Sequence, residues 1–194
     1  MFRFVSVLTV LFLSAGPIAA QGAPSEVRSV VSRMSSLGSF RATIGMGSGG
    51  SLASGVLSYQ RGKVHLKFSD GRGIAGNGRV MVVYNPATGV AGKQPMATGG
   101  GGLGWLLSGF ENRVSGSQAA GRATDPNARI QEVKLAWGQG FTLRRLSIKN
   151  KDSESWFTIT LSNVRPVASF PAALFSYKPP AGARTVENPL DQRN

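Results

Sequence analysis

Gly71-Arg72-Gly73-Ile74-Ala75-Gly76 is a literal G-x-G-x-x-G, the spacing with which a strand-to-helix turn holds a dinucleotide pyrophosphate. That chemistry needs a strand before the glycines, a helix opening within them and an acid about 20 residues later. Here Asn77-Gly78 and another strand pattern follow, and residues 91–96 contain no acid. The match reads as turn glycines. Four consecutive glycines, Gly99 to Gly102, raise the same question. A phosphate-binding loop of the P-loop type ends in Gly-Lys followed by Ser or Thr, whereas this run ends in Leu103-Gly104-Trp105.

Hydrolytic chemistry is poorly supplied. His65 is the single histidine, no G-x-S-x-G elbow occurs, and the nine acids are dispersed. Asp152 and Glu154 lie close together, but within a turn pattern. The chain has no cysteine, which excludes disulfides, thiolate metal sites, a thiol nucleophile and lipidation at a cysteine. No cluster has metal-ligand spacing. The expectation is a protein that is not an enzyme, with no catalytic residue, no metal and no cofactor. A hydrolase using a carboxylate pair assembled by folding is the enzymatic alternative.

A formal net charge of +13 points to anionic partners, with lipid headgroups or a merely solvated basic surface as the two readings. Nucleic acid is not expected, because no basic helix interleaved with aromatics appears. Met1-Phe2-Arg3, the apolar run Phe4 to Ala15 and Pro17-Ile18-Ala19-Ala20 together read as a signal peptide cleaved near Ala20. The run is short of the roughly 20 residues of a membrane span. Export to the periplasm follows, with an uncleaved anchor as the alternative.

The elements that would position any site are mostly strands. Ser25 is a suitable N-cap, and Val27, Val30, Val31, Met34 and Leu37 form one helical stripe that Gly38 ends. Period-two patterns cover Ser39–Met46, Leu52–Gln60, Lys63–Ser69 and Arg79–Tyr84, with Gly76-Asn77-Gly78 as a hairpin turn. Gly89–Met96, Arg113–Gln118, Ile130–Trp137, Phe141–Lys149, Ser155–Asn163 and Phe175–Lys178 extend the series to about ten strands. Residues 21–185 are expected to form one α+β domain, with residues 186–194 a frayed polar tail. Its architecture would be a curled antiparallel sheet with helices on one face. All-β with an incidental helix is the runner-up.

Three segments resemble one family. Leu37-Gly38-Ser39-Phe40-Arg41-Ala42 is similar to the helix-to-strand entry of the periplasmic outer-membrane lipoprotein carriers of the LolA family. Residues 77–86, running from Asn77-Gly78-Arg79 to Tyr84-Asn85-Pro86, and Phe175-Ser176-Tyr177-Lys178-Pro179-Pro180-Ala181-Gly182 resemble two further family segments, in the same order. The resemblance implies an unclosed half-barrel capped by helices over an apolar cavity, without catalysis or cofactor. It also implies transfer of lipoprotein acyl chains from an inner-membrane transporter to an outer-membrane acceptor, by a protein expected to be a monomer. Arg61 matches the family arginine that hydrogen-bonds to a helical lid. Val64 and Leu66 stand where the family has Phe and Trp, so the aromatic lining is thinned.

Acyl chains cost about 0.8 kcal/mol per methylene in water, so a carrier needs a dry apolar lining. Val64, Leu66, Phe68, Val80, Val82, Leu135, Trp137, Phe157 and Ile159 occupy alternating strand positions that would serve such a lining or a closed core equally well. Leu103, Trp105, Leu106, Leu107 and Phe110 form an apolar cluster next to the glycine run, a candidate lid on a glycine tether or a loose surface loop. The leading expectation is an acyl-chain carrier. The alternative is an envelope-stress or regulatory module that binds lipid or protein on the same fold.

Overall fold

The computed structural model describes residues 23–96, 107, 109–176 and 178–187. One helix, α1 (Ser25–Ser36), precedes six strands: β1 (Ser39–Ser48), β2 (Ser51–Gln60), β3 (Lys63–Phe68), β4 (Gly73–Gly76), β5 (Val80–Asn85) and β6 (Val90–Pro95). Six more follow: β7 (Phe110–Ser115), β8 (Gln118–Ala123), β9 (Ile130–Trp137), β10 (Leu143–Asn150), β11 (Phe157–Pro166) and β12 (Arg184–Glu187). Two short 3-10 turns, Gln139–Phe141 and Ala172–Phe175, complete the described elements. Among the described residues no helix is long and apolar enough to cross a membrane.

Among the described residues twelve strands form one sheet in the order β12-β6-β5-β4-β3-β2-β1-β11-β10-β9-β8-β7, with β12 and β7 at its two ends. Every pairing is antiparallel except β12 with β6. The sheet wraps one core: Met96 beyond β6 and Ala119 on β8 belong to the same buried cluster as Val27 and Val30 of α1. This is the α+β, helix-on-sheet arrangement expected, with twelve strands rather than about ten and a mixed rather than wholly antiparallel sheet.

Local chemistry explains the tight hairpins. The β1–β2 turn places Gly49 and Gly50 at φ of 64° and 86°, and the β2–β3 turn places Arg61 and Gly62 at 44° and 80°. Two-residue hairpins with both central residues left-handed match the twist of the flanking strands. Helix α1 packs its Val27 and Val30 inward and ends where Gly38 turns left-handed, at φ of 60°. Pro24 rather than Ser25 is the residue before the first turn, and the Ser25 hydroxyl instead donates to Glu26 Oε2 at 3.0 Å.

Register decides which side chains meet. One row across the inner face joins Leu57, Leu66, Ile74, Val83, Gly92 and Val186. The neighbouring row on the outer face joins Ser58, His65, Ala75, Val82, Lys93 and Glu187. The C-terminal segment packs against β3 and β4 on that outer side. There Phe170 meets Phe175 edge-on at 6.0 Å, takes Arg41 above its ring at 5.5 Å, and its N–H donates to Gln60 Oε1 at 2.8 Å.

Four local expectations are corrected. Gly73–Gly76 is a strand, not a turn. The expected strand Arg113–Gln118 straddles the β7–β8 turn, where Gly116 sits at φ of 57°. Phe175 ends a 3-10 turn rather than opening a strand. Val186 and Glu187 belong to β12, so the domain continues past residue 185.

Candidate functional site

An apolar cavity of about 530 Å³ opens on the inner face, within the range of about 300–1,000 Å³ usual for small-molecule sites. Its floor is built by Met46 of β1, Ala53 of β2, Phe68 of β3, Ile74 of β4 and Val83 of β5. Val90 and Val186, from β6 and the edge strand β12, close one side. These residues converge because each holds an inward position at the same end of its strand, where the β1–β2, β3–β4 and β5–β6 connections lie. Small residues keep the space open: Met46 faces Ala53, and Gly55 faces both Ile44 and Phe68.

The rim is polar and basic. Ser48, Ser51, Asn85 and Thr88 contribute hydroxyl and amide groups, and two arginines, Arg72 and Arg184, reach it from different elements. Arg72 is fixed by Asp70, whose Oδ2 accepts from Nε at 2.7 Å and pairs with Nη2 at 2.7 Å. Its guanidinium also lies 5.0 Å from the Phe68 ring centre. The Arg184 backbone N–H donates to Gly89 O at 2.9 Å, and no ion pair engages its side chain among the described residues.

Of the lining expected from sequence, Phe68 borders this cavity. Val64, Leu66, Leu135, Trp137, Phe157 and Ile159 are buried in the common core. Val80 and Val82 take the outer side of β5, and Met81 and Val83 hold the inner positions. The cause lies in the unbroken apolar run Val80-Met81-Val82-Val83, which has no period to set its facing. Met46 lies on the apolar face that the alternation of β1 marks, and Ile74 lies inside the glycine-rich segment, which marks none.

Arg61 sits at the other end of the sheet. Its turn caps the start of β3, roughly 20 Å from Phe68 at the usual rise per residue. Its backbone N–H donates to Gly38 O at 3.0 Å, tying the turn to the end of α1, and its side chain is exposed. Beside it the Tyr59 hydroxyl accepts from the Gly62 N–H at 3.1 Å. Burial pushes the Tyr59 phenol above its ordinary range despite that bond.

Leu103, Trp105 and Leu106 of the candidate lid, with Gly99 to Gly102, lie outside the described residues. Leu107 is fully buried and Phe110 is half-buried against the core. The chain is anchored here: Asn112 Nδ2 donates to Phe110 O at 2.9 Å, and Thr124 donates to Gly109 O through both its N–H and its hydroxyl. Asn112 Oδ1 is buried with no partner, above Gly121, where an added Cβ would stand 2.6 Å from it. His65 faces outward between Ser58 and Ala75. Burial, then Lys67 and Arg41, hold its imidazole below the usual 6.5.

Comparison with known proteins adds the fold. An uncharacterized conserved protein from Thermus thermophilus superimposes with a TM-score of 0.56 at 10% identity, over 84% of this chain and 97% of that one. The Mycobacterium tuberculosis lipoprotein LppX gives a TM-score of 0.47 at 15% identity, over 76% and 97% of the two chains. A LolA superfamily protein from Nitrosomonas europaea gives 0.40 at 11% identity, over 77% and 96%. No protein-family model and no curated protein sequence matches the chain.

Proposed function

We propose that this protein is an exported carrier that takes up lipid acyl chains on the inner face of its open sheet, in the manner of the LolA family its sequence resembles. The observation that carries the reading is the 530 Å³ cavity with an apolar floor and an open, polar rim. Ala53 and Val83 are only part-buried at its wall, and Met46 beneath them is part of the buried core. Each buried methylene contributes about 0.8 kcal/mol, so a single chain gains substantial affinity without a directional anchor and still slides out when a better acceptor competes.

The finer reading is transfer of lipoproteins between the inner and outer membranes, from a transporter to an acceptor. It rests on the order of the three family-like segments. Leu103, Trp105, Leu106, Leu107 and Phe110 would then act as the lid, and Arg61, beside the end of α1, as the residue that holds it. Purification without detergent followed by native mass spectrometry tests the carrier reading, and release of lipoproteins from inner-membrane vesicles tests the finer one. Bound lipid with lipoprotein release is the expected result. An empty protein that also fails to take up added acyl chains would overturn the carrier reading.

A further inference from the structure

The cavity rim carries more charge than an acyl chain needs. Among the described residues two guanidinium groups border it, no carboxylate does, and hydroxyls of Ser48, Ser51 and Thr88 lie between. Asp70 occupies Nε and Nη2 of Arg72, leaving other N–H donors of its planar fork unused by that pair. Arg184 has no acidic partner among the described residues, because Glu187 is paired with Lys93 at 3.3 Å on the opposite side of the strand pair. An arginine without an acidic partner beside an apolar floor is a site for an anion joined to a hydrocarbon chain, since a guanidinium binds carboxylate or phosphate oxygens bidentately.

Resting on the acyl-chain reading above, we infer that the ligand held here is an anionic amphiphile. Its chain lies on Met46, Phe68 and Val83, and its headgroup is bound by Arg184 and Arg72. A neutral diacylglyceryl group fills the same floor but leaves Arg184 without a counter-ion and the free donors of Arg72 unused. The shared chemistry is a phosphate or carboxylate on a hydrocarbon chain. Phospholipid and free fatty acid are the two sources.

The test compares four probes with the same single oleoyl or oleyl chain: lysophosphatidylglycerol, oleate, monooleoylglycerol and oleyl alcohol. Binding to the full mature chain is measured by displacement of a fluorescent acyl probe, at low and at high salt. The anionic probes should bind about tenfold or more tighter than their neutral counterparts, the scale of a hydrogen bond to a charged group. R184Q should collapse that ratio, and R184K should restore part of it. R113Q removes the same charge from exposed Arg113 at the far edge and should leave the ratio intact. A preference for lysophosphatidylglycerol over oleate identifies phosphate as the head, and the reverse identifies carboxylate. Equal binding of charged and neutral probes, unchanged by R184Q, overturns the inference and leaves the carrier reading standing. Failure of all four probes to bind a folded protein overturns both.

Discussion

Filling the cavity from its floor should separate ligand binding from folding. Ala53 faces Met46 across the β1–β2 pair, and its side chain borders the cavity. Ala53→Phe keeps a strand-compatible residue and sends a phenyl ring into open space. The ring displaces roughly four methylenes of ligand, each worth about 0.8 kcal/mol, for a loss of about 3 kcal/mol. That corresponds to an increase of about 200-fold in Kd. Stability should change by less than about 1 kcal/mol, because the ring overpacks nothing. Titration with a dansyl-labelled fatty acid, beside urea unfolding of the same samples, reads both quantities. Val82→Ala is the matched control, since Val82 lies on the other face and should leave Kd unaltered. An A53F protein that is normally stable and binds within about threefold of wild type would refute the assignment of the floor.

Three further outcomes follow from named contacts. Leu107 is fully buried at the anchored end of the candidate lid, so Leu107→Ala should cost about 2–5 kcal/mol of unfolding free energy in urea titration. Gly55→Ala puts a Cβ 2.6 Å from the Lys67 carbonyl oxygen, a backbone atom that cannot step aside. It should therefore cost about 1–3 kcal/mol by the same assay. His65 is held below 6.5 in the folded state by burial and by Lys67 and Arg41, so the unfolded chain binds the proton first as pH falls. Stability is full above that value and is lost as pH drops through it towards the lower folded pKa. Unfolding midpoints from pH 7.5 to 5.5 should fall less in His65→Gln than in wild type, and equal slopes would contradict the sign.

The sequence showed the first half of the fold because strict alternation marked it. Phe40, Ala42, Ile44 and Met46 share the inner face of β1, and Val64, Leu66 and Phe68 that of β3, as their period requires. Alternation failed where side chains were missing or uniform. In β4, Gly73 and Gly76 look like turn residues, yet Gly76 is where a Cβ would press on Met96 and Val64. In β7 the inward position between Phe110 and Val114 is polar Asn112, which breaks the apolar stripe. Strand β12 is a polar Arg-Thr-Val-Glu whose only reason to be extended is its long-range pairing with β6. Phe68 and Met46 lie on strands whose alternation marks their inward face, whereas Ile74 and Val186 come from β4 and β12, where that signal is missing. Arg184 in particular lay next to what reads as a frayed tail.

The most direct measurement of the central claim is photoaffinity mapping with a diazirine-bearing fatty acid, read by peptide mass spectrometry. The account predicts adducts on Met46, Phe68, Ile74 or Val83, abolished in A53F and competed by unlabelled oleate. The outer face offers its own apolar bait, since Leu52 and Val56 are 43% and 48% exposed. Labelling confined to those two residues, or no competable labelling at all, would contradict it.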